Sequence, residues 1–343
     1  MPPIALAVIG AGPWGLTLAN AFASLPQATV RWICELDEGR RARASAAHPD
    51  AQVTGALDEA LSDPAVGAVV VAVEPARHHA IAMRALAADK HVFVEKPLAS
   101  SARDAEQVCA TAAARHRVLS VGHLLLHHPA VRRAREIAGQ GQLGEPLTFV
   151  SRRVTPGPPR TVGSAWWALA PHDVSLALHL FGGVPTTVGV SGGAWGQTQE
   201  DNVATAVLRF AGGGTAHVHV ARFAPGKRRE TTIAGPNATL TFDELAPAEQ
   251  SLRLWTPQQG EVVVPVDLSD PARANALRAQ CLDFAARAAS GDDGGDDGSH
   301  AVDVVRVLES GQRSMRQQGK PQPVVRASGI AVGAPHGASF EAA

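Results

Sequence analysis

The run Gly10-Ala11-Gly12-Pro13-Trp14-Gly15 spaces its glycines in the pattern that brings a dinucleotide pyrophosphate close to backbone. Gly10 suits a tight turn, Gly12 lets a phosphate approach, and Gly15 lets the following helix lie close to its strand. A second candidate is Glu35, about 20 residues beyond the last glycine, where an acid accepts hydrogen bonds from the adenosine ribose hydroxyls. A carboxylate there repels a 2′-phosphate, so Glu35 favours NAD over NADP, although Arg40 and Arg41 nearby leave NADP as the less favoured alternative. A third is the charged pair in Glu95-Lys96-Pro97, which either closes a strand as a surface ion pair or faces a ligand crevice.

These residues need a scaffold, and the apolar runs supply one. Ile4 to Ile9 is unbroken, as in a strand buried on both faces of a parallel sheet. The glycines follow at once, and Leu16 to Leu25 then carries apolar residues at helical spacing, so the glycines occupy a strand-to-helix turn. A strand from Thr29 to Cys34 ends at Glu35. A helix near Asp58 to Asp63, a strand from Ala68 to Val73, a helix from Ala76 to Ala88 and a strand from His91 to Val94 continue the alternation. The expectation is an α/β protein opening with a Rossmann domain, a doubly wound parallel sheet, in which Glu95 and Lys96 stand at a strand's carboxyl end.

Taken together, the glycine run and Glu95-Lys96-Pro97 resemble the Gfo/Idh/MocA family of sugar and polyol dehydrogenases. The likeness extends through Val121 to Val131, Leu143-Gly144-Glu145-Pro146, Trp167 to Asp173, Gly226-Lys227-Arg228-Arg229 and Val304 to Met315, within a subgroup that includes nucleotide-sugar 3-dehydrogenases. The resemblance implies an NAD-dependent dehydrogenase or ketoreductase working on a secondary hydroxyl of a sugar, nucleotide sugar, aminoglycoside or cyclitol. It implies that Lys96 stabilises the developing alkoxide while His172 exchanges the proton. Cofactor contacts fall on Gly10, Gly12, Pro13, Trp14, Gly15, Glu35, Glu74, Pro75, His78, Glu95 and Lys96. His123, His127, Arg153 and Trp166, beside the family motifs, are candidates for the substrate. Read from its own neighbours, His172 is instead a helix-start histidine, with Pro171 in a first turn and Asp173 complementing the helix N-terminus.

Four positions depart from the family pattern. Ala168 replaces an aspartate that usually orients the histidine, so another acid takes its place or the chemistry differs. Ser175 stands for a second aspartate, His128 for an asparagine, and Glu74 for a small residue near the cofactor. These departures keep two other readings open: a non-catalytic dinucleotide sensor, and a carbonyl or imine reductase of specialised metabolism.

Beyond residue 122 the pattern changes. Leu147 to Val154, Thr186 to Ser191, Val203 to Phe210, Thr215 to Arg222, Glu230 to Ala234 and Ala238 to Phe242 read as strands with hairpin-length connections. They predict a second α/β domain with a mainly antiparallel open sheet, serving substrate binding and oligomerisation, over residues 123–330. Residues 1–122 form the NAD-binding domain and 331–343 a flexible tail. The resemblance implies that the open sheet face meets another subunit, giving a homodimer or homotetramer. Helices from Arg273 to Ala289 and Ala301 to Gln317 follow. Between them the run Gly291 to Gly298 lacks the spacing of a calcium loop and reads as solvated; the Lys227-Arg228-Arg229 cluster reads as a solvated loop, with a diphosphate contact as the less favoured alternative.

Composition narrows the partners. The 343 residues suit two domains, and 31 basic against 32 acidic side chains offer no overall field for a nucleic acid or anionic membrane. No apolar run is long enough for a bilayer, and no metal-ligand spacing occurs. Cys34, Cys109 and Cys281 are an odd, scattered set that suits reduced thiols. A cytoplasmic protein with a small-molecule substrate is the expectation.

Overall fold

A computed structural model describes residues 2–157, 163–194, 200–291 and 297–325. The chain opens with six parallel strands, β1 (Ile4–Ile9), β2 (Ala28–Cys34), β3 (Gln52–Thr54), β4 (Ala68–Val71), β5 (His91–Val94) and β6 (Leu119–Val121), in the order β3-β2-β1-β4-β5-β6. Every residue of β4 and β5 is buried, as the unbroken apolar runs require of strands covered on both faces. The strand order reverses between β1 and β4. There the glycine turn after β1 meets the segment after β4, the place where doubly wound sheets hold ligands. Sequence periodicity did not isolate β3, β6 or the helices Glu38–Ala47, Ala102–Ala114 and Pro129–Gly139. All three helices start at side-chain caps: Asp37, Ser101 and His128 accept from the backbone N–H groups of Arg40, Asp104 and Ala130.

The second sheet comprises β7 (Thr148–Val154), β8 (Thr187–Gly193), β9 (Val203–Arg209), β10 (Thr215–Ala221), β11 (Arg228–Ala234), β12 (Thr239–Asp243), β13 (Leu252–Thr256), β14 (Gly260–Val263) and β15 (Gln322–Pro323). Its order is β14-β13-β12-β11-β7-β10-β9-β8-β15, antiparallel throughout except for the β7–β10 pair. On β10 the alternation sends Ala216, Val218 and Val220 into the core and leaves His217 exposed. The helix Ala165–Phe181 covers the inner face.

That helix starts earlier than its proline suggests. Ser164 caps it, its Oγ accepting from the N–H of Trp167 at 3.1 Å, so Pro171 lies inside the helix and not in its first turn. Pro171 removes one intrahelical donor, and the helix nevertheless runs on to Gly182, whose φ of +67° closes it. His172 is therefore a mid-helix residue.

The two C-terminal helices join both halves. Phe284 on Ala276–Ser290 meets Phe22 and Phe93 edge-on at 6.0 and 5.6 Å in the core of the first sheet. On Asp297–Arg316, Val302 and Val305 enter that sheet's other core, while Val304, Val307 and Leu308 enter the core of the second. A boundary at 122/123 thus leaves the first sheet covered by helices from the end of the chain. Residues 292–296 of the acidic glycine run and the 331–343 tail lie outside the described residues.

Candidate active site

The glycine turn has the shape its sequence implies. Gly10 has φ +98°, and a Cβ there would sit 2.5 Å from the Ala72 carbonyl oxygen; a Cβ on Gly15 would sit 1.9 Å from that of Gly10. A Cβ on Gly12 would meet open space. The helix Pro13–Ala23 begins immediately afterwards with proline in its first turn, no side-chain cap and no acidic residue. Its N-terminal end is thus left for an anion, beside a cavity of about 300 Å³ lined by Gly10, Gly12, Glu35, Arg40, Glu74 and Arg77. These features fit a dinucleotide.

At the far end of this cavity Glu35 is fixed by backbone. Its Oε2 accepts from the N–H of Ala11 at 2.9 Å, and its Oε1 from Leu36 at 2.8 Å and Asp37 at 3.1 Å. Partial burial opposes ionisation, but the three N–H donors and Arg40 outweigh it and hold the carboxyl below its ordinary value. Arg41 directs Nη1 to the carbonyls of Glu35 and Leu36 at 3.0 and 2.7 Å, while Arg40 lies 3.8 Å from Glu35. Arg40 and Arg41, the arginines placed to embrace a 2′-phosphate, are thus drawn to Glu35 and its backbone. Glu74 is exposed and lies 3.7 Å from Arg77. His78 is buried, its ring nitrogens 2.8 and 3.0 Å from the carbonyls of Pro97 and Val73, so it joins the loops after β5 and β4.

A second cavity, of about 450 Å³, adjoins the first through Ala72 and Val73. Its walls include Trp14, Pro75, Glu95, Lys96, Trp167 and His172. Lys96 Nζ donates to the carbonyl of Ala168 at 3.1 Å. Burial pushes the Lys96 ammonium below its ordinary value; Glu95 opposes this, and Arg153, Arg229 and Arg222 reinforce it. Burial raises the Glu95 carboxyl against the stabilising indole of Trp14 and the Lys96 charge. His172 is held well below the ordinary histidine range by burial, then by Lys96, Arg153 and His123, so its imidazole is neutral. Its Nδ1 is buried without a hydrogen-bond partner. The methyl of Ala168, one turn earlier, offers it none.

Among the four substrate candidates the structure separates positions that sequence treated alike. Arg153 lines the cavity, but its guanidinium is held by Asp173 at 2.7 and 3.3 Å and by Glu244 at 2.8 Å. Trp166 is a core residue with no exposed surface, its Nε1 donating to the Leu308 carbonyl at 2.9 Å, and the tryptophan that lines the cavity is its neighbour Trp167. His123 is buried edge-on to His300 at 5.4 Å, and His127 Nδ1 lies 3.1 Å from Asp283 Oδ2; neither lines the cavity.

Arg229 and Glu244 are charged lining residues that were not among the site candidates read from the sequence. Arg229 belonged to a cluster read as solvated, but it lies on β11 directly opposite Arg153 of β7. Glu244 carries no local signal; it follows β12 and reaches the cavity because its N–H bonds the Arg229 carbonyl at 3.0 Å. Among the described residues no cluster of metal-ligating side chains occurs, no helix is long and apolar enough to cross a membrane, and no disulfide joins the cysteines.

Comparison with known proteins agrees with this geometry. Residues 4–123 match the oxidoreductase family model with an NAD-binding Rossmann fold, and residues 131–241 match the C-terminal domain model of the same Gfo/Idh/MocA group. The chain is 28% identical over 282 residues to the UDP-N-acetylglucosamine 3-dehydrogenase of Acidithiobacillus ferrooxidans, covering 81% of this chain and 86% of that one. It is 34% identical over 198 residues to inositol 2-dehydrogenase 2 of Paenarthrobacter aurescens, covering 54% and 58%. The solved NAD complex of GenD2 from gentamicin A biosynthesis superposes with a TM-score of 0.82 at 26% identity, covering 95% of this chain and 97% of that one.

Proposed function

Because this chain belongs to the Gfo/Idh/MocA oxidoreductase family and carries its NAD-binding Rossmann fold, we propose that it oxidises a secondary hydroxyl of a sugar, nucleotide sugar, aminoglycoside or cyclitol, or reduces the corresponding ketone. The protein is an NAD-dependent oxidoreductase. The observation that carries the finer reading is that Lys96 and His172, from different halves of the chain, line one cavity adjoining the dinucleotide cavity.

Bound NAD supplies the hydride acceptor. A secondary alcohol releases hydride as its proton leaves, so the site needs a cation beside the oxygen and a base for the proton. Lys96 is the cation, stabilising the developing alkoxide. His172 is the base: its neutral imidazole takes the hydroxyl proton in oxidation and returns it in reduction. Gly10, Gly12, Pro13, Trp14 and Gly15 cradle the pyrophosphate, Glu35 receives the ribose hydroxyls, and Glu74, Pro75, His78 and Glu95 shape the reacting end. Residues 1–122 serve the cofactor and 123–330 the substrate. A second copy covers the open face of the second sheet, and the protein is cytoplasmic.

The test is titration of the purified protein with NAD and NADP, followed by a screen of pooled sugars, nucleotide sugars and aminoglycosides for NADH absorbance. Turnover lost in His172→Ala with NAD binding retained supports the assignment. Tight NAD binding without turnover in either direction on any pool overturns it.

A further inference from the structure

We propose that Arg229 and Glu244 form a subsite that reads a hydroxyl neighbouring the reacting carbon, and that the ring presented to Lys96 and His172 is uncharged there. The inference rests on the sugar reading above and narrows it to neutral rings. Its basis is an unequal division of hydrogen bonds along one wall of the cavity.

Arg153 is consumed by the fold. Its Nε and Nη2 face Asp173, its Nη1 faces Glu244, and its side chain is 4% exposed. Arg229 is different: its side chain is 31% exposed, its Nη1 bonds Glu244 Oε1, and the described structure gives it no other side-chain partner. A guanidinium has five N–H donors in a planar fork, so the remaining edge of Arg229 is free for a ligand. Each Glu244 oxygen accepts one arginine N–H, and a carboxylate oxygen has room for a second bond.

The wall thus offers a donor and an acceptor side by side. A hydroxyl uses both, because it donates and accepts. A carboxylate or phosphate uses the donor alone and lies against Glu244, whose carboxyl is kept ionised by Arg153 and Arg229 despite burial. Charge gives no compensating attraction, since the cavity's cations Lys96, Arg153 and Arg229 are matched by the carboxylates of Glu95, Asp173 and Glu244. Like charges juxtaposed across a contact discriminate strongly against the wrong ligand.

The experiment uses the full chain with saturating NAD and matched substrates: a neutral pyranose and its uronic acid, and a cyclitol and its phosphate. The expected result is kcat/KM higher for each neutral member by at least about tenfold. Glu244→Gln is expected to shrink that ratio by removing the repelling charge, and Arg229→Gln to raise KM for the neutral substrate more than it lowers kcat. Equal or better turnover of the anionic members by the unaltered protein overturns the proposal whether or not the variants fold. An unchanged ratio in a folded Glu244→Gln protein also overturns it. Failure of both classes to turn over, with NAD bound, removes the sugar reading itself.

Discussion

Lys96 and His172 are tied together through a single carbonyl: Lys96 Nζ donates to Ala168 O at 3.1 Å, and Ala168 lies four residues, one helical turn, before His172. The ammonium arrives from the end of β5 and the imidazole from the helix beneath the second sheet. One hydrogen bond therefore links Lys96 to the helix that carries His172, across two halves of the chain.

Removing that ammonium tests its role. Lys96→Met is expected to lower kcat by about a hundredfold or more, the scale of losing one preorganised donor at a developing oxyanion. Lys96→Arg should not restore the rate, because a planar fork does not replace a point charge. Steady-state kinetics with NAD titration checks both; near-normal kcat in Lys96→Met refutes the role.

Cofactor choice should follow Glu35. Its carboxylate, held by three N–H groups, repels a 2′-phosphate, so Glu35→Ser is expected to weaken NAD binding and shift the NADP-to-NAD preference by about tenfold. Competitive titration measures it, and an unchanged preference would place discrimination elsewhere.

Trp166 and Trp167 separate structure from recognition. Trp166→Phe removes the 2.9 Å bond to the Leu308 carbonyl and is expected to cost about 1 kcal/mol of stability, without altering KM for substrate. Trp167→Ala opens the cavity wall and should raise KM. A KM change in Trp166→Phe at unchanged stability would reverse the assignment.

Acid should destabilise the folded chain. Burial holds His172 and His123 well below the ordinary 6.5 and depresses His179 to about 4. Below pH 6.5 the unfolded histidines take up protons that the folded ones refuse, so stability falls as pH falls from 6.5 toward about 4. Carboxylates held low, such as Glu35 and Glu244, extend the loss to lower pH. Thermal unfolding across this window measures the effect; a flat Tm contradicts it.

The open face of the second sheet should meet another subunit. Val150 is 46% exposed and lies across from His217 on one side and Thr232 on the other, and Trp255 on β13 is 47% exposed. Light scattering is expected to give a dimer or tetramer, and Val150→Asp to weaken it. A monomer at micromolar concentration would refute the assembly.

Sequence alone determined what depends on near neighbours. The glycine turn, the carboxylate at the end of β2, the unbroken runs of a buried parallel sheet and the alternation on β10 are all decided within a few residues. It also brought out Lys96 and His172, because both lie within motifs. Tertiary structure decided which side chains reach the cavity. Trp166 and Trp167 are adjacent, yet neighbours on a helix point about 100° apart, so one enters the core and the other the wall. Arg153 and Arg229 are 76 residues apart, counted as 229 minus 153, and face each other only through the β7–β11 register. Glu244 holds both arginines from a third segment, and no local pattern records such a meeting. The helix containing His172 shows the same division: Pro171 marks a helix start by local rule, but the Ser164 cap and the packing of that helix beneath the sheet carry it a turn and a half earlier.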